Sequence, residues 1–472
     1  MSIRQSPIII LALAGLAASS ASADLRSAVK VVAVGDLITR GAVVSSINEP
    51  TTDRDGTPAV TGNSSLGNFV FYGDAAIWFN SDALPMVLTG AETTMGAGAN
   101  GQFIYSPSAD GGDAAYTHAG LLLRDTDPAP GFPGKFNTFN SRPYMTGNGW
   151  AYWCAGVSNT SGGSTATRVQ YLVQDPSSPV FQTPIIGGNT YGGLTTTAGG
   201  INFGYDISEN GQWRIHDLTN TGGSATDRYI VVFGPAGDFA VGQEGFLISD
   251  IATEGWTAFR IPGINNNGDY IIAGDTTAPG NDEVLLFNGV VQVREGDVVD
   301  GKTLAGSSGT GGVIDAMAIN NCGGVAHLWS AGSATADPEY LFYGPGNNLK
   351  LGSTLVLATG DQLDFDGDGN CDAIITDFNA SQTIAPGIDL ADDGMIFVSA
   401  DLTTCDGTSA FEAIIGVRAY CPSDWDNSGF SDIEDFTTFV IDFEAGDADF
   451  DCSGFTDTDD YDAFVRAFEK GC

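Results

Sequence analysis

Histidine and positive charge are what this 472-residue chain has least of: three histidines, His118, His216 and His327, and 18 Lys and Arg against 58 Asp and Glu. The formal charge of −40 excludes nucleic acid as a natural partner, since a phosphate backbone is held by cationic side chains that displace its counterions. No His-Glu-x-x-His zinc motif, Gly-x-Ser-x-Gly nucleophile turn or Gly-x-x-x-x-Gly-Lys phosphate loop occurs, so no catalytic constellation emerges. His216 and His327 fall on or just after strand patterns, where a packed structural role is expected. Long apolar runs are missing too. Beyond the N-terminal leader nothing reaches the roughly 18 apolar residues that a membrane-spanning helix needs. Helical periodicity is almost absent from Asp24 to Tyr420.

The chain opens with Arg4, an apolar run from Ile8 to Ala18, and the small residues Ala21-Ser22-Ala23. This is the pattern of a secretory signal peptide over residues 1–23, cut before Asp24. An exported protein, secreted or at the cell surface, is expected. Seven cysteines in such a chain imply disulfides with at least one cysteine left over. Cys421 with Cys472 would close the ends of a C-terminal module. Cys322 with Cys371, and Cys405 with Cys452 or Cys154, are the other candidate pairs.

Residues 24–420 alternate short apolar runs with Gly-, Asn- and Ser-rich turns, which reads as all-β. A unit recurs in which a turn ending in Gly leads into an alternating strand. Ile264-Asn-Asn-Asn-Gly268 and Ile319-Asn-Asn-Cys-Gly323 are the cleanest copies; Gly67, Gly101, Gly149, Gly211 and Gly394 anchor looser ones. Later strands of several units end in Gly-Asp, as at Gly296-Asp297 and Gly360-Asp361. The last unit lacks that strand, while the N-terminus carries an orphan one, Val31-Val-Ala-Val-Gly-Asp36. A seven-bladed β-propeller, closed by the N-terminal strand completing the last blade, accounts for both ends. An irregular β-sandwich array or β-solenoid is the alternative. Trp150, Tyr152 and Trp153 alternate along one strand and are expected to pack between blades.

Two C-terminal segments match at an offset of 25 residues. In a twelve-residue calcium loop, oxygens come from positions 1, 3, 5, 7 (backbone), 9 and 12 around a Gly at 6. The first segment offers Asp424, Asp426, Ser428, the Phe430 carbonyl, Asp432 and Asp435 around Gly429. The second offers Asp449, Asp451, Ser453, the Phe455 carbonyl, Asp457 and Asp460 around Gly454. Each leads into an amphipathic helix, with Phe436, Phe439, Val440 and Phe443 matched by Tyr461, Phe464, Val465 and Phe468. A third cluster, Asp364, Asp366, Asp368, Asn370 and Asp372, follows the early loop positions, but position 12 is Ile375, leaving Asp361, Asp377 or water to complete a shell. Ca2+ is the expected cofactor, at two sites in the tail and a third near residues 364–372.

Residues 421–472 resemble the dockerin module, two F-hand calcium repeats that plug into a cohesin receptor. With Cys421-Pro422 before the loops and Gly471-Cys472 at the end, they are more similar to the GC-type dockerin-like anchoring tail of exported planctomycete-type bacterial proteins. The resemblance implies a cohesin-like or cell-surface receptor for the tail. Ser428 and Ser453 stand where Asp is usual in dockerins, one charge fewer per site and so weaker calcium affinity. The body is similar, through Asn265 and Asn320, to tandem Asn-x-x-Gly-x-x-Ala-Phe repeat proteins. Two function classes follow: a recognition or scaffold propeller, binding a glycan or protein and displayed by the tail, or an extracellular carbohydrate-active enzyme (glycoside hydrolase or lyase) carrying the same module.

Overall fold

The computed structural model describes residues 24–472 apart from 54–55, 84–87, 90–94, 110–111, 140–141, 159–166, 306–312, 332–337, 381–386, 427, 429 and 472. Residues 1–23, over which a signal peptide is expected, lie outside the described residues.

The recurring glycine turn has one geometry. Between Asn265 and Gly268 the Gly268 N–H donates to the Asn265 carbonyl at 3.1 Å, while Asn265 Oδ1 accepts from the Asp269 N–H at 2.9 Å. Gly268 takes φ 82, a left-handed conformation that residues with a Cβ rarely adopt. Asn320 repeats the bond, accepting from Gly324 N at 2.8 Å, and Thr146 Oγ1 does so from Trp150 N at 3.1 Å. Asp53 Oδ1 takes the same place for Thr57 N at 2.8 Å, so in these four turns the oxygen four residues back is shared and asparagine is not needed; at Ala391 to Gly394 the Met395 N–H bonds to Asp393 Oδ1 instead, at 3.1 Å. This places the first anchor at Gly56 (φ 77), whose N–H bonds to Asp53 O at 3.0 Å. The expected anchor Gly67 instead joins the outer hairpin of strands Pro58–Ser64 and Gly67–Tyr72.

Each turn links a short inner strand to the next strand outward. Among the described residues, seven sheets of four or more strands result. Their inner strands, Thr51–Thr52, Met95–Gly98, Tyr144–Met145, the second half of Leu194–Ile207, Gly263–Ile264, Val313–Ile319 and Ile388–Leu390, circle an axis until Ile388–Leu390 meets Thr51–Thr52. The architecture is a β-propeller. Strand Val29–Ala33 pairs antiparallel with Ala410–Arg418, so the N-terminal strand completes the last sheet as the sequence implies. Leu25–Ser27 adds a parallel pairing with Gln362–Asp364. The Gly-Asp endings are also explained: Asp36, Asp297 and Asp361 each accept from a backbone N–H three residues back, at Ala33, Arg294 and Ala358, at 2.9–3.0 Å.

Facing sheets bury apolar clusters between them. Along strand Ala151–Ser158, Trp153 packs with Tyr171 on one face while Tyr152 joins Tyr205 and Tyr229 on the other. His216 and His327 are fully buried, as their structural assignment requires. Neighbouring turns are tied by amides: Asn210 N to Asn266 Oδ1 (2.8 Å), Asn266 N to Asn321 Oδ1 (2.9 Å), and Asn321 N to Asp392 Oδ1 (2.8 Å). The result is a belt of side-chain bonds around the inner corners of four consecutive sheets.

Two of the expected disulfides are re-paired. Cys371 bonds to Cys405, not Cys322, because neighbouring residues Ala373 and Thr404 are partners in one ladder; the Cα atoms are 6.0 Å apart. Cys322 bonds to Cys452 across 130 residues of sequence, with Cα atoms 5.0 Å apart. Cys154 is buried and takes part in no disulfide. Cys421 is disulfide-bonded; its expected partner Cys472 lies outside the described residues. These bridges suit an extracellular protein. No helix among the described residues is long and apolar enough to cross a membrane.

The tail carries helices Ile433–Ala445 and Thr458–Lys470, each opened by a capping box from Asp432 with Asp435 and from Asp457 with Asp460. Phe439 and Phe464 stack with centroids 3.9 Å apart, and with Ala448 they are the tail's fully buried apolar residues. Phe436, Val440, Phe443, Tyr461 and Phe468 pack around them as the sequence pattern implies; Val465 is not part of the cluster.

Candidate metal centres and the axial cavity

Each acidic loop of the tail folds back on its own carboxylates. In the first, Ser428 N donates to Asp424 Oδ1 (2.8 Å) and Asp426 Oδ1 (2.9 Å), while Asp435 accepts from Asp426 N (3.0 Å) and Asp432 N (2.8 Å). The second repeats this: Gly454 N to Asp449 Oδ2 (2.9 Å), Ser453 N to Asp451 Oδ1 (3.0 Å), and Asp451 N and Asp457 N to the two oxygens of Asp460 (3.0 and 2.7 Å). Oxygens of Asp424, Asp426 and Asp435, and likewise of Asp449, Asp451 and Asp460, thereby lie within 4.8 Å of one another. Three carboxylates so close repel, and a divalent cation is what such a set of hard oxygens can hold.

The remaining expected ligands are adjacent. Ser428 Oγ and Ser453 Oγ each reach the carbonyl at loop position 7, of Phe430 and Phe455, at 3.3 Å. Asp432 and Asp457, at position 9, turn one oxygen to a helix N-terminus, accepting from Glu434 N (2.9 Å) and Asp459 N (2.8 Å). Gly454 has the expected positive φ of 89, while Gly429 lies outside the described residues.

The third loop gathers Asp364, Asp366 and Asp372 within the same 4.8 Å. Asp364 Oδ1 and Oδ2 accept from Gly367 N (2.7 Å) and Gly369 N (2.8 Å), and Asp368 Oδ1 from Asn370 N (2.8 Å), so Asp368 shapes the turn and stands outside the trio of carboxylates. Ile375 is buried in strand Ala373–Phe378. Of the residues expected to complete a shell, Asp361 is engaged by Ala358 N at 2.9 Å and by Arg26 at 3.5 Å.

Sequence reasoning missed a second feature. A cavity of about 70 Å³ lies on the propeller axis, lined by Arg142, Tyr144, Asp206, Glu209, Asp389 and Asp392 among others. Tyr144 donates to Glu209 Oε1 at 3.2 Å, Ile264 N donates to Asp206 Oδ2 at 2.9 Å, and Thr52 N donates to Asp389 Oδ2 at 2.7 Å. Burial pushes the Glu209 carboxyl well above its usual range, and nearby Asp389 and Asp392 push it further. Asp206 is pushed up to about 6 by burial, against the pull of Arg142. One signal was available: residues just before each anchor glycine sit on or beside inner strands, which face the axis.

No family model matches the chain, and no curated protein matches it. Solved structures resemble it at low identity. Prolyl oligopeptidase B from Galerina marginata aligns with 11% identity over 80% of this chain and 52% of its own, at a TM-score of 0.41. The GH74 xyloglucanase from Xanthomonas campestris aligns with 10% identity over 82% and 53%, at 0.39. TolB from Acinetobacter baumannii aligns with 11% identity over 80% and 82%, at 0.32. The chain thus spans about half the length of the first two.

Proposed function

We propose that this chain is an exported, calcium-binding recognition or scaffold protein, in which the propeller is displayed by a dockerin-like tail held in shape by Ca2+. The observation that carries this reading is the repetition of one ligand arrangement. Asp424, Asp426 and Asp435 converge as Asp449, Asp451 and Asp460 do, each position-12 carboxylate being aimed by two backbone N–H groups. Acidic residues scattered for solubility have no reason to match in this way. The third trio at Asp364, Asp366 and Asp372 would add a site on the propeller, beside strand Leu25–Ser27. The tail's partner is then a cohesin-like or cell-surface receptor, and the propeller's a glycan or a protein. Calcium calorimetry on the full chain tests the reading: Asp435→Asn and Asp460→Asn each remove one bound ion. Unchanged stoichiometry in both sinks it.

A second reading, a carbohydrate-active enzyme, is favoured by the raised carboxyls of Asp206 and Glu209 on the axis. Against it, about 70 Å³ is small beside the roughly 300–1,000 Å³ of ordinary ligand pockets. A glycan array probed with the full chain, beside a hydrolysis screen on the same polysaccharides, separates the two. Turnover abolished by Glu209→Gln establishes the enzyme.

A further inference from the structure

Cys452 occupies the fourth position of the second acidic loop, between Asp451 and Ser453, and is bonded to Cys322 of the propeller. The far end of that bond is fixed. Cys322 is the third residue of the turn Asn320 to Gly323, in which Gly323 N bonds to Asn320 O at 3.1 Å and Gly324 N to Asn320 Oδ1 at 2.8 Å. Its neighbour Asn321 donates to both carboxylate oxygens of Asp392 (2.8 and 2.9 Å) and accepts from Asn266 N (2.9 Å). At the loop end, Cys452 is held at φ 55, which a non-glycine residue adopts at a cost. The first loop has Asn427 at the equivalent position and can make no such bond. In their carboxylate trios the two loops are otherwise alike.

We infer that the Cys322–Cys452 bridge preorganises the second loop for a divalent cation and makes it the tighter of the tail's two sites. Cys322 is then a positioning residue for an ion it does not touch. This rests on the reading of the loops as cation sites. A loop that must order itself around its ion spends binding free energy on that ordering, whereas a loop already pinned to a rigid turn does not.

The test uses the full chain and calcium alone. Asp435→Asn leaves the second loop as the tail's intact site, and Asp460→Asn leaves the first. Adding Cys322→Ser to Asp435→Asn weakens calcium binding at the second loop roughly tenfold. Adding it to Asp460→Asn changes the first loop less than about twofold. Cys452→Ser, which cuts the same bond from the loop side, reproduces the first result. Near-ultraviolet dichroism verifies that the propeller stays folded in each variant. The inference is overturned if Cys322→Ser leaves the second loop unchanged, if it weakens both loops alike, or if only Cys452→Ser acts. A parent chain that binds no calcium at either loop sinks the calcium reading instead, which is a distinct result.

Discussion

The propeller and the tail are built on opposite terms. Between its sheets the propeller buries clusters of Val, Ile, Leu and aromatic residues at or near zero exposure, whereas the tail fully buries Phe439, Ala448 and Phe464. Burial at about 25 cal/mol per Å² lets the larger domain stand on its own core, but a module of some 50 residues has too little surface to hide. The tail is instead given converging carboxylates and a covalent tie. On a chain-entropy estimate, a bridge spanning 130 residues contributes about 5 kcal/mol. The largest effect follows directly: excess chelator melts helices Ile433–Ala445 and Thr458–Lys470 while the β signal of the propeller persists. Far-ultraviolet dichroism with and without chelator checks it. An unchanged spectrum erases the distinction between the two regions.

A smaller intervention sharpens the same contrast. Phe439 stacks on Phe464 at 3.9 Å, so Phe439→Ala empties the centre of the tail's core and costs about 3–5 kcal/mol. That is enough to unfold the tail even with calcium present. Urea unfolding of the propeller, followed through its buried Trp153 and Trp329, stays unchanged. A shifted propeller midpoint would mean that the regions fold as one unit.

How far the sequence reveals each region depends on the range of the interactions that build it. The tail's loops are local: carboxylates that converge within twelve residues, in two matched copies, were readable down to Asp424 and Asp460. The propeller was readable through its turns, because a left-handed glycine and a polar residue three places before it are also local. It misled at the first sheet, where Gly67 also opens an apolar strand, Gly67–Tyr72, and drew the anchor away from Gly56. The bridge from Cys322 to Cys452 and the axial group of Arg142, Tyr144 and Glu209 join residues far apart in sequence. No spacing rule encodes them, since they exist only once the sheets have closed into a ring.

All three histidines lie in the propeller, so mild acid separates the regions again. Burial lowers the His327 pKa to about 3, with Nε2 at 3.0 Å from Ser353 Oγ and Nδ1 accepting from Trp329 Nε1 at 3.0 Å. The folded state resists a proton that the unfolded chain takes up near pH 6.5. The stabilisation is therefore complete above that pH and falls by about 1.4 kcal/mol per unit on the way towards pH 3, or roughly 3 kcal/mol by pH 4.5. Ring-carbon NMR at pH 5 should find His327 neutral, as the Nε2–H tautomer. A protonated ring would break the account.

The smallest expected effect concerns the belt of turns that gives the propeller its inner edge. Asn320 is buried, its Oδ1 accepting from Gly324 N at 2.8 Å and its Nδ2 donating to Ala391 O at 3.4 Å. Asn320→Ala leaves a buried backbone N–H without its acceptor and costs about 1–3 kcal/mol in urea unfolding of the propeller. Asn320→Thr restores the oxygen in the form that Thr146 already uses, four residues before Trp150, and loses less. If threonine were no better than alanine, the oxygen four residues back would not be what holds the turn. The equivalence of asparagine, threonine and aspartate around the ring would then need another cause. The tail should keep its calcium affinity at the first loop in both variants, because Asn320 reaches only the second loop, through Cys322.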